Sequence, residues 1–138
     1  AFFDPRQDNL VATLARIEAD VSSKINVLSD HVERVAAGEA VSTTSNEVFY
    51  VTKGRLYAYA MLLKSLEQDF SDIIAGEGLS VVWSRMIESF ENAAAMRPLI
   101  VTNSPPGSVF IPNHVTELGF FALRAKTQLR DVMTVLNQ

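Results

Sequence analysis

Two histidines are the side chains of this chain best suited to acid–base or metal chemistry near neutral pH. His114 and Glu117 stand three apart in "HVTE", so they share one side of a helix. This is half of a carboxylate–histidine metal motif. A di-iron bundle needs Glu-x-x-His pairs with further glutamates on facing helices, and the chain contains no Glu-x-x-His. His114 therefore reads first as a local hydrogen-bonding residue that ties the preceding loop to a helix start. His31, beside Leu28 and Val32, reads as an edge-of-core histidine. The chain has no cysteine, which excludes disulfides and cysteine-based metal or redox chemistry.

The carboxylates offer a second kind of chemistry. Glu67, Asp69 and Asp72 cluster in "LEQDFSD", and Glu88 and Glu91 lie three apart. Paired carboxylates can act as acid and base, but a solvated charged face accounts for them more simply. Lys53 and Arg55 are the expected structural partners of such acids across a helix interface. "SPPG" (104–107) lacks the lysine and the glycine spacing of a phosphate loop. Two prolines are weak support for a polyproline ligand. Ser104 and Ser108 have no recognisable nucleophile context. No catalytic set, metal site or cofactor follows from these residues.

Four periodic segments must position whatever chemistry exists. "DPRQ" starts the first, with Asp4 as cap, Pro5 in the first turn and Gln7 closing a capping box. Leu10, Leu14, Ile17, Val21, Ile25, Leu28, Val32 and Val35 then mark one helix face, and Gly38 is the expected stop. Arg16, Asp20 and Lys24 form the expected solvated side. The second segment starts at "TSNE", with Thr44 as cap and Glu47 as its partner. Phe49, Leu56, Leu63 and Phe70 recur every seven residues, interleaved with Thr52, Tyr59, Leu66 and Ile73. That is an a/d-type seam.

After "GEG" (76–78), Leu79, Val82, Trp83, Met86, Ile87 and Phe90 define a third helix, extended by Ala93 to Ala95. Val115, Leu118, Ala122, Ala125, Leu129, Val132 and Leu136 define the fourth, capped by Asn113 after the breaker Pro112. Between them two apolar triplets, Leu99 to Val101 and Val109 to Ile111, flank "TNSPPGS". They suggest a short hairpin or a loop pinned by apolar arms. Its residues Asn103, Ser104, Gly107, Asn113 and His114 make up the candidate functional loop. The pattern predicts one all-α domain over 1–138, an antiparallel four-helix bundle with this loop between the third and fourth helices.

All three tyrosines fall within ten residues of the second segment. Tyr59 belongs to its seam. Tyr50 and Tyr57 fall just off it, as candidate interface residues or as a shield for the seam's edge. Gly54 lies inside the pattern, and close approach of another backbone would be one reason for it. A third helix about half as long as the first two would leave apolar ends of those two uncovered. A second copy of the chain, or another part of the same protein, is the expected cover. An apolar ligand between the helices, lined by Tyr57, Tyr59, Trp83 and Phe120, is an alternative.

The formal net charge is −4, and no basic cluster exists to neutralise phosphates, so nucleic-acid binding is not expected. No apolar run approaches the roughly 20 residues that span a bilayer.

The run "NEVFYVTKGRLYAYAMLLKSLEQDFSDII", a third helix, and "PLIVTNSPPGSVFIPNH" together resemble a family of uncharacterised bacterial proteins. The features that carry the likeness are Phe49–Tyr50, Gly54, Leu62–Leu63, Glu67, Asp69–Phe70, Asp72 and Asn113–His114. The first helix, from "DNL", is similar to the helix that precedes this block in the family. The Pro105–Pro106 loop departs from the family's shorter Gly- and Ser-containing loop. The resemblance implies the C-terminal part of a longer protein with one N-terminal transmembrane helix, anchored in the inner membrane and facing the periplasm. It transfers no catalytic residue. The expected function is a non-enzymatic scaffold or protein-interaction module of the cell envelope, self-associating or bound to a protein partner. The alternatives are a hydrolase or metal-dependent enzyme using His114 and nearby carboxylates, or an apolar-ligand binder.

Overall fold

A computed structural model describes residues 5–37, 43–96 and 110–138. Among these residues the chain is all-α, with five helices: α1 Pro5–Ala36, α2 Thr43–Asp69, α3 Ser71–Gly76, α4 Ser80–Ala95 and α5 Phe110–Leu136. Pro5 opens α1, where a missing N–H costs no helical hydrogen bond. Asp4 and Gly38, the expected ends of this helix, lie outside the described residues.

The seven-residue pattern of the second segment is one seam but two helices. α2 stops at Asp69 and the short α3 begins at Ser71, with Phe70 out of helical geometry at φ −115°, ψ 25°. Ile73 is buried all the same, so the apolar pattern runs through the break without marking it. Beyond α3, Gly78 takes a positive φ of 68°, the left-handed conformation that glycine adopts without strain, and the Leu79 N–H reaches the Ile74 carbonyl at 2.9 Å.

The last helix is longer than the sequence pattern suggests. α5 starts at Phe110, so Pro112 sits within its first turn rather than ahead of it. The first four N–H groups of a helix lack intrahelical partners, so proline there removes nothing. The helical start also claims Phe110 and Ile111, two residues of the second apolar arm. The rest of the loop lies outside the described residues, and Asn113 and His114 are described only as helical backbone.

The core is one cluster drawn from all five helices. α1 packs along α5, α5 along α4, and α4 along α2. α1 and α5 run in opposite directions. The Gln7 side-chain amide donates to the Leu136 carbonyl at 2.7 Å, Arg130 meets Glu18 at 3.1 Å, and Leu28 lies beside Gly119. Gln7, expected to close its own helix's capping box, caps the far end of α5 instead. Because α5 has 27 residues, it covers α1 over most of its length. The overhang is expected at either the Leu10–Leu14 or the Val32–Val35 end of α1; Leu10 and Leu14 are fully buried within the chain, and Val32 is half-buried.

Trp83 anchors the middle. It is fully buried, and its indole N–H donates to the Leu63 carbonyl at 3.1 Å. That bond meets the one polar need of a buried tryptophan. Val82, expected on the same apolar face, is turned outward.

Candidate interaction surface

The middle of α2 is apolar on most sides, while its two ends carry Glu47, Lys64, Glu67 and Asp69. From Val48 to Leu63 only Lys53 and Arg55 carry charge. Its inward face is filled by Phe49, Thr52, Leu56, Ala60, Leu63 and Leu66, all buried. Successive helical residues are offset by about 100°, so the residues one step on, Tyr50, Tyr57 and Met61, come out on the other side. They are 52%, 60% and 48% exposed, and Val51 and Leu62 join them on this outward face. Tyr57 is the more exposed of the two tyrosines, and Tyr50 also borders the inward seam at Phe49.

Gly54 and Ala58 lie among these residues and are also exposed. A Cβ on Gly54 would meet nothing within 4 Å, so nothing within the described chain requires glycine at that position. The outward residues have local supports. The Tyr50 ring stands edge-on to Phe49 with centroids 5.4 Å apart, and the Lys53 ammonium lies 6.0 Å from the Tyr50 ring centre.

The four residues expected to line a ligand site do not come together. Trp83 is sealed in the core and Tyr59 faces α1, while Tyr57 and Phe120 are mostly exposed. Phe120 stacks edge-on with its neighbour Phe121.

The charged residues are largely committed to holding helices together. Asp20 is half-buried at the α1–α2 contact, where it accepts the Tyr59 hydroxyl and lies 3.6 Å from Arg55 and 3.9 Å from Lys24. So Asp20 and Lys24 belong to an interface, not to the solvated side expected for them. Partial burial, then the hydrogen bond to Asp20, then the Asp20 charge push the Tyr59 phenol up to about 12, against a weaker opposing effect of Arg55. Asp72 is met by Arg6 of α1 at 2.9 Å, not by Lys53 or Arg55. The same guanidinium donates to the Asp69 carbonyl at 3.0 Å and covers the Phe70 ring at 5.5 Å. It thereby caps the end of α2 where α3 begins. The hydrogen bond from Arg6 holds the Asp72 carboxyl below the usual range. Glu91 pairs with Lys64 at 3.1 Å.

A groove of about 210 Å³ between α4 and α5 is lined by Arg85, Glu88, Asn92 and Arg124, with Ser89 bonded to Gln128 at its floor. Among the described residues no three His, Asp or Glu side chains stand close enough to share a metal. His31 is half-buried on α1. The side chain of His114 lies outside the described residues, as do Asn103, Ser104 and Gly107 entirely.

A family model described as "Uncharacterized protein conserved in bacteria (DUF2333)" matches residues 42–138. The match starts just before α2 and runs through α5, so it includes the outward face of α2 and leaves α1 outside. No curated protein and no solved structure matches the chain.

Proposed function

The chain belongs to this bacterial family of uncharacterised proteins, and we propose that it is a non-enzymatic helical module that binds protein through the outward face of α2. One observation carries the reading: a helix whose inward face is buried in the core presents a second apolar face to solvent. A helix that is apolar all round is normally buried in a large core or in a membrane. No helix among the described residues is long and apolar enough to cross a membrane; a protein surface is the cover this proposal assigns to the outward face. Scattered exposed apolar side chains need no explanation, but a contiguous patch does.

In this proposal α1, α2, α4 and α5 form an antiparallel four-helix bundle, a rigid frame that presents the α2 face. The module is one domain, the C-terminal part of an anchored cell-envelope protein facing the periplasm. The anchor and the compartment follow from the family resemblance alone.

Site-specific photo-crosslinking in the bacterium tests the contact. A photoreactive residue at Tyr57 or Met61 is expected to give a discrete protein adduct, and one at exposed Arg16 of α1 is expected to give none. Absence of any adduct from Tyr50, Tyr57 and Met61 contradicts the reading.

A further inference from the structure

The spacing on the outward face points to its occupant. Tyr50, Gly54, Tyr57 and Met61 are separated by four, three and four residues. These are the steps of a coiled-coil seam, and they read the same in both directions. An identical helix laid alongside in the opposite sense puts Tyr57 of each copy over Gly54 of the other. It puts Tyr50 of each copy against Met61 of the other. The open space at Gly54 is a notch of the kind such a ring can enter. One further step outward, the same register brings exposed Glu47 toward Lys64 of the second copy, whose ammonium also meets Glu91 of its own chain at 3.1 Å.

We propose that the outward face of α2 binds a second copy of this chain, as an antiparallel helix pair about a two-fold axis passing between Gly54 and Tyr57. The inference rests on the interaction reading above and names its partner. A two-fold contact requires a surface that complements itself, and a stripe with symmetric spacing meets that condition.

The area fits a weak, concentration-dependent pair. An aromatic side chain covers roughly 150–250 Å², so Tyr50 and Tyr57, at 52% and 60% exposed, offer about 220 Å² together. Val51, Met61 and Leu62 bring the patch to roughly 500 Å², within the range of functional patches on monomers. Buried completely, two such faces would remove about 1,000 Å², the threshold for a specific interface and below the roughly 1,200–2,000 Å² of a stable one. A concentration-dependent dimer is the expected result.

Disulfide trapping tests both the partner and the register, because the chain has no cysteine of its own. Tyr50→Cys and Met61→Cys are prepared separately and oxidised alone and as an equal mixture. In the proposed register, position 50 of one copy faces position 61 of the other. The two copies of position 50 lie about 16 Å apart along the axis, as do those of position 61. A disulfide does not bridge such a gap. The expected result is a crosslinked dimer in the mixture and none in either variant alone. Crosslinking of a single variant with itself indicates a parallel pair and overturns the proposal. No crosslink in any sample overturns the second copy as occupant. An adduct to a different protein from Tyr57 in cells would then leave the interaction reading standing, whereas no adduct there either would remove both.

Discussion

The two faces of α2 are built from the same kinds of residue and meet opposite fates. Inward, Phe49, Leu56 and Leu63 recur every seven residues and are buried against α1, α4 and α5. Outward, Tyr50 and Tyr57 recur with the same period and face solvent. The inward face has apolar groups with one buried hydroxyl, Thr52. The outward face carries phenols and a glycine, residues that tolerate water when uncovered and pack well when covered. The difference teaches that heptad spacing identifies a surface suited to packing without saying which molecule it packs against.

The sharpest way to separate the faces is to truncate one side chain on the inner one. Leu63→Ala should destabilise the chain by about 2–5 kcal/mol, the range for a large-to-small change in a core. Denaturant unfolding measures it, and a loss below about 0.5 kcal/mol would place Leu63 with surface residues.

Tyr59 sits at the margin between the faces, and its effect is smaller. Tyr59→Phe removes the hydrogen bond to half-buried Asp20 and should cost about 0.5–1.5 kcal/mol at neutral pH. The folded phenol is raised from an ordinary 10.0 to about 12, so folding favours the protonated form. That contribution is complete below pH 10 and is lost as pH rises through 12. The gap in stability between native chain and variant should therefore close over that window. Spectrophotometric titration of the variant should lack the latest tyrosine step. An unchanged gap would detach Tyr59 from Asp20.

On the outer face the expected sign reverses. Gly54→Ala should stabilise the isolated chain by up to about 1 kcal/mol, because nothing lies within 4 Å of the new methyl group and alanine is the better helix former. Thermal unfolding in dilute solution checks this, and a destabilised variant would mean that the monomer itself requires the glycine.

Much of the inner face is legible in the sequence. The apolar steps of three and four locate Leu10 to Leu28, Phe49 to Leu66, and Leu118 to Leu136, whose buried members form the core. What is not legible depends on distance or on competing local rules. Asp20 and Tyr59 lie 39 residues apart and carry no local signal of their bond. The break at Phe70 is hidden because Ile73 stays in phase with the seam. The start of α5 is misplaced because Pro112 is read as a breaker, although a helix's first turn accepts it. The overhang is absent at Leu10 and Leu14 because they lie beside the C-terminal end of α5, where Gln7 reaches Leu136. Tyr50 and Tyr57 stand out in sequence, but the signal that makes them a separate face is the symmetric spacing through Gly54 to Met61.

Sedimentation of the native chain and of Tyr57→Glu over a range of concentrations tests the outward face most directly. The native mass should rise from one chain toward two. Tyr57→Glu, which places a carboxylate over the Gly54 notch of the second copy, should keep the mass of one chain throughout, with an unfolding free energy within about 0.5 kcal/mol of the native monomer. A native chain that stays at one-chain mass into the high micromolar range, or a Tyr57→Glu variant as dimeric as the native, would contradict it.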